Sequence, residues 1–595
     1  MIRFPMHFRI ALSIIPVALI VLFCNCAHAN KRNTVALVMK SLANPFFTQM
    51  AEGANSKADQ LRVPLDTFGL ERETDISRQI SIMEHLIALE YGAILLAPAD
   101  SKRLVPVCKK AIEKGIPVII IDNPLHEQTM EQQGVNLPFI GPDNYQGGLL
   151  IGEYVKHKLK GSGRVIILEG IFGVENSEKR KAGIIHALTN DSSIEIVAAA
   201  NANWHTDVAL SIVTELLTVH KDIDAIICAN DAMALGALQA VDLLGLPPGI
   251  LITGYDNTEN VRTELRNDRI QATVDQRPDL MGACGVEKAF SLLHDKPPPP
   301  ETDITVELIS SESFGKKITF SVSTSETTFF EILTNSVQNA AELHGMDLTI
   351  LDAQNMDAKQ LVDLNTALLR AIDLLILNPT SSDYIRTGLE AAETGGIPII
   401  TVDRKVTGAE VLCHIDSDNT TGGKLAAKHL ADLLKGVGKV AELEGIPGTS
   451  AAYERGTGFN EELANYPKIT VVAREIADFD RQKAKNIALR LIDSKISLDG
   501  VFAHNDSMIL GVLDAYDERG GKPPKVLVGF DAIPEAMEKI MDKRLNASIA
   551  QQPDQMGALA VQTAVNFFRG KKIPQHISVE LSVFTEKSIM TQCGE

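Results

Sequence analysis

At or just after the ends of short apolar runs in the C-terminal half of the chain stand Asp403-Arg404, Phe479, Asn505, Asp531 and Gln551, with Arg455 in a helical stretch among them and Thr327, Phe329 and Phe330 before them. Guanidinium and carboxylate groups hydrogen-bond in pairs, amides both donate and accept, and aromatic rings present flat apolar faces. This set suits non-covalent capture of a small ring that carries several hydroxyls on its edge and C–H bonds on its face. Catalysis is not expected. Carboxylates occur without a coherent division into acid and base, and the sequence holds no GxSxG, HExxH or GxxxxGK[ST]. Neither a metal nor a cofactor is expected.

The same set occurs twice. Arg180, Trp204, Asn230, Asp256 and Gln276 precede Arg455, Phe479, Asn505, Asp531 and Gln551 by one constant interval of 275 positions. Further upstream, Asp122 precedes Asp403 by 281 and Phe46 precedes Phe329 by 283, the same alignment with small differences in loop length. The first set therefore reads Asn44, Phe46, Phe47, Asp122, Asn123, Arg180, Trp204, Asn230, Asp256 and Gln276. Two paralogous units fill nearly the whole chain. At about 280 residues each, they exceed one simple core and suit two lobes apiece.

The elements that must hold these residues alternate. TVALVMK, YGAILLAP, GIPVIIIDNP, RVIILEG, IEIVAAA, DAIICAN and GILITGYDN read as strands in the first unit, with amphipathic helical stretches between most of them. The second repeats the plan in KITFSVS, DLLILNP, GIPIITVDRK, KVAELEG, ITVVARE, DGVFAHN and KVLVGFD, and closes with ISVELSVF. Apolar strands alternating with helices give parallel α/β sheets covered on both faces, and ligands sit beyond the carboxyl ends of such strands. Within the set, Asp231 and Asp506 are expected to cap helices, leaving Asn230 and Asn505 to meet a ligand. One phenylalanine of each adjacent pair is expected in the core. Arg180 and Arg455, taken singly, also fit surface ion pairs.

Residues 1–29 read as a secretory signal: Arg3, His7 and Arg9 precede an apolar run from Ile10 to Phe23, followed by Ala27-His28-Ala29. A run of about 14 residues is short of the about 20 that span a membrane. Cys24 and Cys26 sit in surroundings that fit lipidation badly. Export places the chain outside the cytoplasm and limits its partners, and a formal charge of −19 offers no basic face for nucleic acid. The remaining cysteines, Cys108, Cys228, Cys284, Cys413 and Cys593, show no paired spacing and read as inert thiols. The units fall at 30–310 and 317–595, joined by a small polar linker at 311–316.

These residues resemble the periplasmic ribose-binding protein family of ABC-transporter sugar receptors. In the second unit the likeness runs through ITVDRK, DSDNTTGGK, ELEGIPGTSAAYERGTGF, ADFDR, HND, GFD and ASIAQQPDQMGA. It implies ligand contacts at Asp403, Arg404, Arg455, Phe479, Asn505, Asp531 and Gln551, with Thr327 standing where the family's NPFF loop has Asn. The first unit keeps NPFF at Asn44 to Phe47, but its Asp-Arg pair has become Asp122-Asn123 and its stacking ring is Trp204. Lys40 is a newcomer at the end of the first strand. The resemblance implies a tandem duplication of a periplasmic-binding-protein fold. Each copy would have two parallel α/β lobes joined by a hinge, crossed near Asp143, Gln276 and Ile304, then near Asp418, Gln551 and Ile577.

The implied function is capture of a pentose such as ribose by the second unit, and of a related sugar or polyol by the first. Delivery would be to the membrane permease of an ABC importer. A periplasmic sensor that signals to a chemoreceptor or histidine kinase would use the same pocket and is the alternative. A LacI-type regulator shares the fold but would carry a helix-turn-helix where this chain has its signal segment.

Overall fold

The structure, a computed structural model, describes residues 31–294 and 304–592. The expected signal segment with Cys24 and Cys26, the proline run at 297–300 and Cys593 lie outside the described residues. Within them no helix is long and apolar enough to cross a membrane. Two compact units result: one holds the described residues up to Asp143 with Val174–Asn176 and Arg277–Thr305, the other holds the rest. The first is the N-terminal lobe of repeat one. The second contains the C-terminal lobe of repeat one and all of repeat two.

Four sheets follow from the alternation. In the N-terminal lobe of repeat one the order is β2 (Leu65–Leu70), β1 (Val35–Ser41), β3 (Ala93–Leu96), β4 (Val118–Ile121) and β5 (Phe139–Ile140). The C-terminal lobe orders β11 (Glu307–Ser310), β10 (Ala272–Asp275), β9 (Leu251–Thr253), β8 (Ala225–Cys228), β6 (Ser162–Glu169) and β7 (Ser193–Asn201). Repeat two builds β13 (Asp347–Asp352), β12 (Lys317–Val322), β14 (Leu374–Leu377), β15 (Ile399–Val402), β16 (Cys413–Ser417) and β22 (His576–Val579) in its first lobe. Its second lobe orders β18 (Lys468–Ile476), β17 (Val437–Glu444), β19 (Gly500–Ala503), β20 (Val526–Asp531), β21 (Ala547–Ala550) and β23 (Ser582–Phe584). Pairings are parallel except β10 with β11 and β21 with β23.

The reason lies in the apolar runs. β3, β4, β8, β14, β15 and β19 are buried at every residue, which only a sheet covered on both faces permits. The edge strands β2 and β13 hold no continuous apolar run, only the mixed segments LDTFGL and DLTILD, and were not read as strands; pairing with β1 and β12 makes them so. In repeat two the third crossing falls between β22 and β23, just beyond the expected Ile577.

Glycines let the helices that bear the site arginines approach their neighbours. A Cβ on Gly423 would lie 2.2 Å from the carbonyl oxygen of Arg455, and one on Gly148 would lie 2.1 Å from that of Arg180. Backbone therefore packs on backbone, and each arginine is set at a fixed depth. Gly423→Ala should cost roughly 1–3 kcal/mol by overpacking. The expected result is a lower melting temperature by calorimetry together with weaker ligand binding, because Arg455 must move with its helix.

Candidate functional site

In repeat two Asp403, Arg404 and Asp531 stand at strand ends, and Arg455 reaches them from the helix Ser450–Leu463. Asp403 follows β15 in a left-handed conformation (φ 63°), and Asp531 ends β20 at φ 109°. Asp403 accepts a hydrogen bond from Asn378 Nδ2 at 3.1 Å and lies 3.7 Å from Arg404 Nε. Arg404 donates to the carbonyl of Pro379 at 3.2 Å, and its guanidinium lies 5.3 Å from the Phe330 ring and 5.8 Å from the Phe479 ring. Arg455 donates through Nε to Asn419 Oδ1 at 2.8 Å and through Nη1 to the His504 carbonyl at 2.6 Å. It faces Asp531 at 3.6 Å and stacks 4.0 Å from the Phe530 ring. Gln551 Nε2 donates to Asp531 Oδ1 at 2.6 Å.

Residues of both lobes thus meet around one space, and the rim is closed. Ser382 N donates to the Gly448 carbonyl at 3.1 Å, Lys405 N to Ser450 Oγ at 2.9 Å, and Lys405 Nζ pairs with Glu454 at 2.8 Å. Arg404 Nε, Asn419 Nδ2 and Gln551 Oε1 are buried without a hydrogen-bond partner. Unpaired buried polar atoms are costly, so atoms of this kind at a cleft are suited to a hydroxylated guest. Burial pushes the carboxyls of Asp403 and Asp531 up, the latter to about 7, against the pull of the neighbouring arginines. It also lowers the guanidinium pKa of Arg404 and Arg455.

The stacking ring is positioned by a glycine and by strain. Phe479 adopts φ 58°, and a Cβ on Gly445 would lie 2.1 Å from its ring. Trp204 does the same at φ 68°, over Gly170. In the C-terminal lobe of repeat one, Arg180 repeats the arrangement of Arg455. It donates to Asn144 Oδ1 at 2.7 Å, the Ala229 carbonyl at 2.8 Å and Gln276 Oε1 at 2.9 Å. Its guanidinium lies 3.8 Å from the Tyr255 ring and 5.5 Å from that of Trp204, and Gln276 Nε2 donates to Asp256 Oδ1 at 2.6 Å. The surface-ion-pair reading of Arg180 and Arg455 is thereby overturned: both are 3% exposed.

The N-terminal lobe of repeat one carries a different cation. Lys40 Nζ, from the end of β1, pairs with Asp122 Oδ2 at 2.9 Å and lies 5.7 Å from the Phe47 ring. In repeat two the aspartate at this place faces Arg404, and Ser323 stands where Lys40 does. Asn123 donates to Ser101 Oγ at 3.2 Å and keeps a buried, unpartnered Oδ1. Asn44 caps its helix by accepting from Phe46 N at 3.1 Å and donates to Glu73 at 3.1 Å. Phe46 with Phe47 and Phe329 with Phe330 are edge-to-face pairs at 5.1 Å, and all four rings are buried. The expectation of one core ring in each pair is too sparing, since both rings pack into the core cluster of their lobe. Thr327 is an N-cap whose side chain makes no capping bond.

One assignment is reversed by the structure. Asn230 and Asn505, not the following aspartates, are the caps, accepting from Met233 N and Met508 N at 3.0 Å. Asp231 is held by Thr258 and Thr273, and Asp506 by Ser548 and the Ile533 amide. The cause is depth: both aspartates are at most 1% exposed and bind hydroxyls and amides under the sheet end. Asn144, Asn419 and Asn378, which orient the charged groups, were missed. Asn419 and Asn378 lie in the quoted runs DSDNTTGGK and LILNP, but nothing local marks them as partners of an arginine or aspartate.

Comparison with known proteins agrees with this geometry. The family described as "Periplasmic binding protein domain" matches residues 35–297 and again 318–572. The chain belongs to this family, in two tandem copies of its fold. The ribose import binding protein RbsB of Bacillus subtilis is 40% identical over 280 residues, which is 47% of this chain and 90% of that protein. A D-ribose/D-allose-binding protein of Pseudomonas aeruginosa is 38% identical over 283 residues, 47% of this chain and 88% of its own length. Each relative is one repeat long. An ABC-transporter periplasmic solute-binding protein of Actinobacillus succinogenes, solved with bound D-allose, is 34% identical, covers 47% of this chain and 98% of its own, and aligns with a TM-score of 0.46.

Asp531, raised to about 7, gives a pH test. A hydroxyl donating to its carboxylate favours the ionised form, so binding should lower this pKa and release protons near pH 7. Affinity should therefore fall as pH drops below about 7. Calorimetry in buffers of differing ionisation enthalpy should show that release in the wild type and lose it in Asp531→Asn.

Proposed function

We propose that the chain is an exported, periplasmic solute-binding protein that captures sugars by hinge closure and delivers them to the permease of an ABC importer. The observation that carries this is the buried Asp403, Arg404, Arg455, Asp531 and Gln551 set enclosed by the Phe330 and Phe479 rings. Carboxylates and guanidinium groups at this density cost solvation unless a guest with many hydroxyls completes their hydrogen bonds, and the rings supply a wall for its C–H face. Repeat two is read as a pentose site for ribose or a close relative, in keeping with the ribose import binding proteins it is similar to. Binding needs no bond-making, so no enzymatic role is assigned. The functional repeats are 30–310 and 317–595, and residues 1–29 are read as the export signal.

Repeat one is read as a site for a related sugar or polyol. Where repeat two has Arg404, Ser323 and Phe479, repeat one has the amide of Asn123, the point charge of Lys40 and the indole of Trp204, while Arg180 is kept. An ammonium favours a single oxygen where the fork favours two, so the preferred pattern of hydroxyls changes.

D-Ribose titrated into the full chain should give one calorimetric binding event that Arg455→Ala weakens by about 10- to 150-fold, the equivalent of roughly 1.5–3 kcal/mol for a hydrogen bond to a charged group. Absence of heat with every pentose would remove the pentose reading. For repeat one, a panel of hexoses and polyols should be followed by the emission of Trp204, the single tryptophan of the chain. Lys40→Ser, which installs the residue of repeat two, should change the order of preference within that panel.

A further inference from the structure

The stretch between the repeats is polar in sequence, but the structure builds it into an interface. Ser311–Ser313 form a 3-10 turn in which Ser313 is fully buried, its hydroxyl donating to the carbonyls of Ser310 and His344, each at 2.9 Å. Gly315 N donates to the Gly345 carbonyl at 2.8 Å. Phe314 packs with Leu343 of repeat two against the core of the C-terminal lobe of repeat one. Gly345 approaches so closely that a Cβ would lie 2.4 Å from the Phe314 ring.

Two arginines clamp the ends of the two helices that back the N-terminal lobe of repeat two. Arg262 of repeat one donates to the Glu342 and Leu343 carbonyls at 2.6 and 2.8 Å, closing the C-terminus of the helix Thr328–Leu343. Arg569 ends the helix Pro553–Phe568 and donates to Ser310 Oγ at 2.8 Å and the Leu308 carbonyl at 2.6 Å. Tyr154 donates to the Glu312 carboxylate at 3.1 Å, and Lys158 pairs with the same group. Arg266 faces Asp347 at 3.7 Å.

The repeats themselves show that this arrangement is specific to the joint. Asn257 accepts from Arg262 at 3.3 Å and donates to Asp275 at 2.6 Å. The matching positions of repeat two are Ala532, Met537 and Ala550, which can form none of these bonds. Asn257 adjoins Asp256 and Asp275 adjoins Gln276, while the clamped helices begin at Phe329-Phe330 and just after Gln551. The joint therefore connects backbone that ends, on both sides, in candidate sugar contacts.

We propose that the C-terminal lobe of repeat one and the N-terminal lobe of repeat two are one cooperative body, so that a sugar held by repeat two stabilises the lobe that carries Trp204. Helix-end carbonyls, a buried serine and arginine groups cannot be separated lobe from lobe without losing their partners, and a body that opens as a unit shares any stabilisation by ligand. The ligand half of this inference rests on the pentose reading of repeat two; the cooperative body does not.

The test follows urea unfolding of the full chain through Trp204 emission. Leu389→Ala, a core truncation inside the N-terminal lobe of repeat two and away from the joint, should lower the Trp204 midpoint by roughly 1 M urea. In an Arg262→Met, Arg569→Ala background the same truncation should leave that midpoint in place. A Trp204 midpoint indifferent to Leu389→Ala in the wild type overturns the proposal, and Leu389→Val serves as the milder variant if the alanine protein does not fold. Excess D-ribose should raise the midpoint in the wild type and not in Arg455→Ala. If calorimetry shows no ribose binding, the pentose reading fails while the truncation arm still decides the joint. If ribose binds and the midpoint stays, the proposal fails alone.

Discussion

Arg455 cannot shed its proton to escape burial, and at 3% exposure it has lost nearly all its water. Each face of the group must then be matched: Asn419 and the His504 carbonyl in the plane, Asp531 beside it, and the Phe530 and Phe479 rings across its faces. Much of the local architecture exists to meet that demand. The helix that carries it lies backbone to backbone on Gly423, β19 and β20 end where His504 and Asp531 are needed, and β21 ends where Gln551 reaches Asp531. Arg180 imposes the same demand on repeat one and receives the same answer from Asn144, the Ala229 carbonyl, Gln276, Asp256 and Tyr255.

Strain accompanies the charges. Asp122, Trp204 and Asp256 in repeat one, and Asp403, Phe479 and Asp531 in repeat two, all adopt positive φ, a conformation that disfavours a side chain. Such residues persist only where surrounding structure over-determines them, and they gather at functional sites. Here each sits at or just past the end of a sheet strand, where the chain must turn sharply to aim a carboxylate or a ring back across the strand ends.

Within this shared frame the two repeats diverge at one cation. Repeat two places a guanidinium beside Asp403; repeat one brings an ammonium to Asp122 from a different strand. The carboxylate keeps a positive neighbour and the phenylalanine keeps a cation over its ring, so the electrostatics survive while the hydrogen-bonding geometry changes. A duplicated fold can thus change the hydrogen-bonding pattern at this place without re-solving the problem of buried charge.

The constant 275-residue interval, the fully apolar strand runs and the types of the site residues were legible from sequence, because burial on both sheet faces and strand-end placement leave local signatures. The edge strands β2 and β13 were not, since their short mixed segments LDTFGL and DLTILD lack a continuous apolar run and become strands only through the neighbour they pair with. The sequence also could not say that Asn230 and Asn505 cap their helices while Asp231 and Asp506 lie beneath the sheet end, for either residue type satisfies the local rule. Asn144 and Asn419 gave no sign of their arginines, which lie 36 residues further along. The segment 311–316 reads as a tether by composition and is an interface by packing, because Ser313 becomes buried and Phe314 half-buried only when Leu343 and His344 arrive from the next repeat. Composition and periodicity determine which residues must leave water; which partner each meets there is decided by the tertiary fold, since that partner comes from distant sequence.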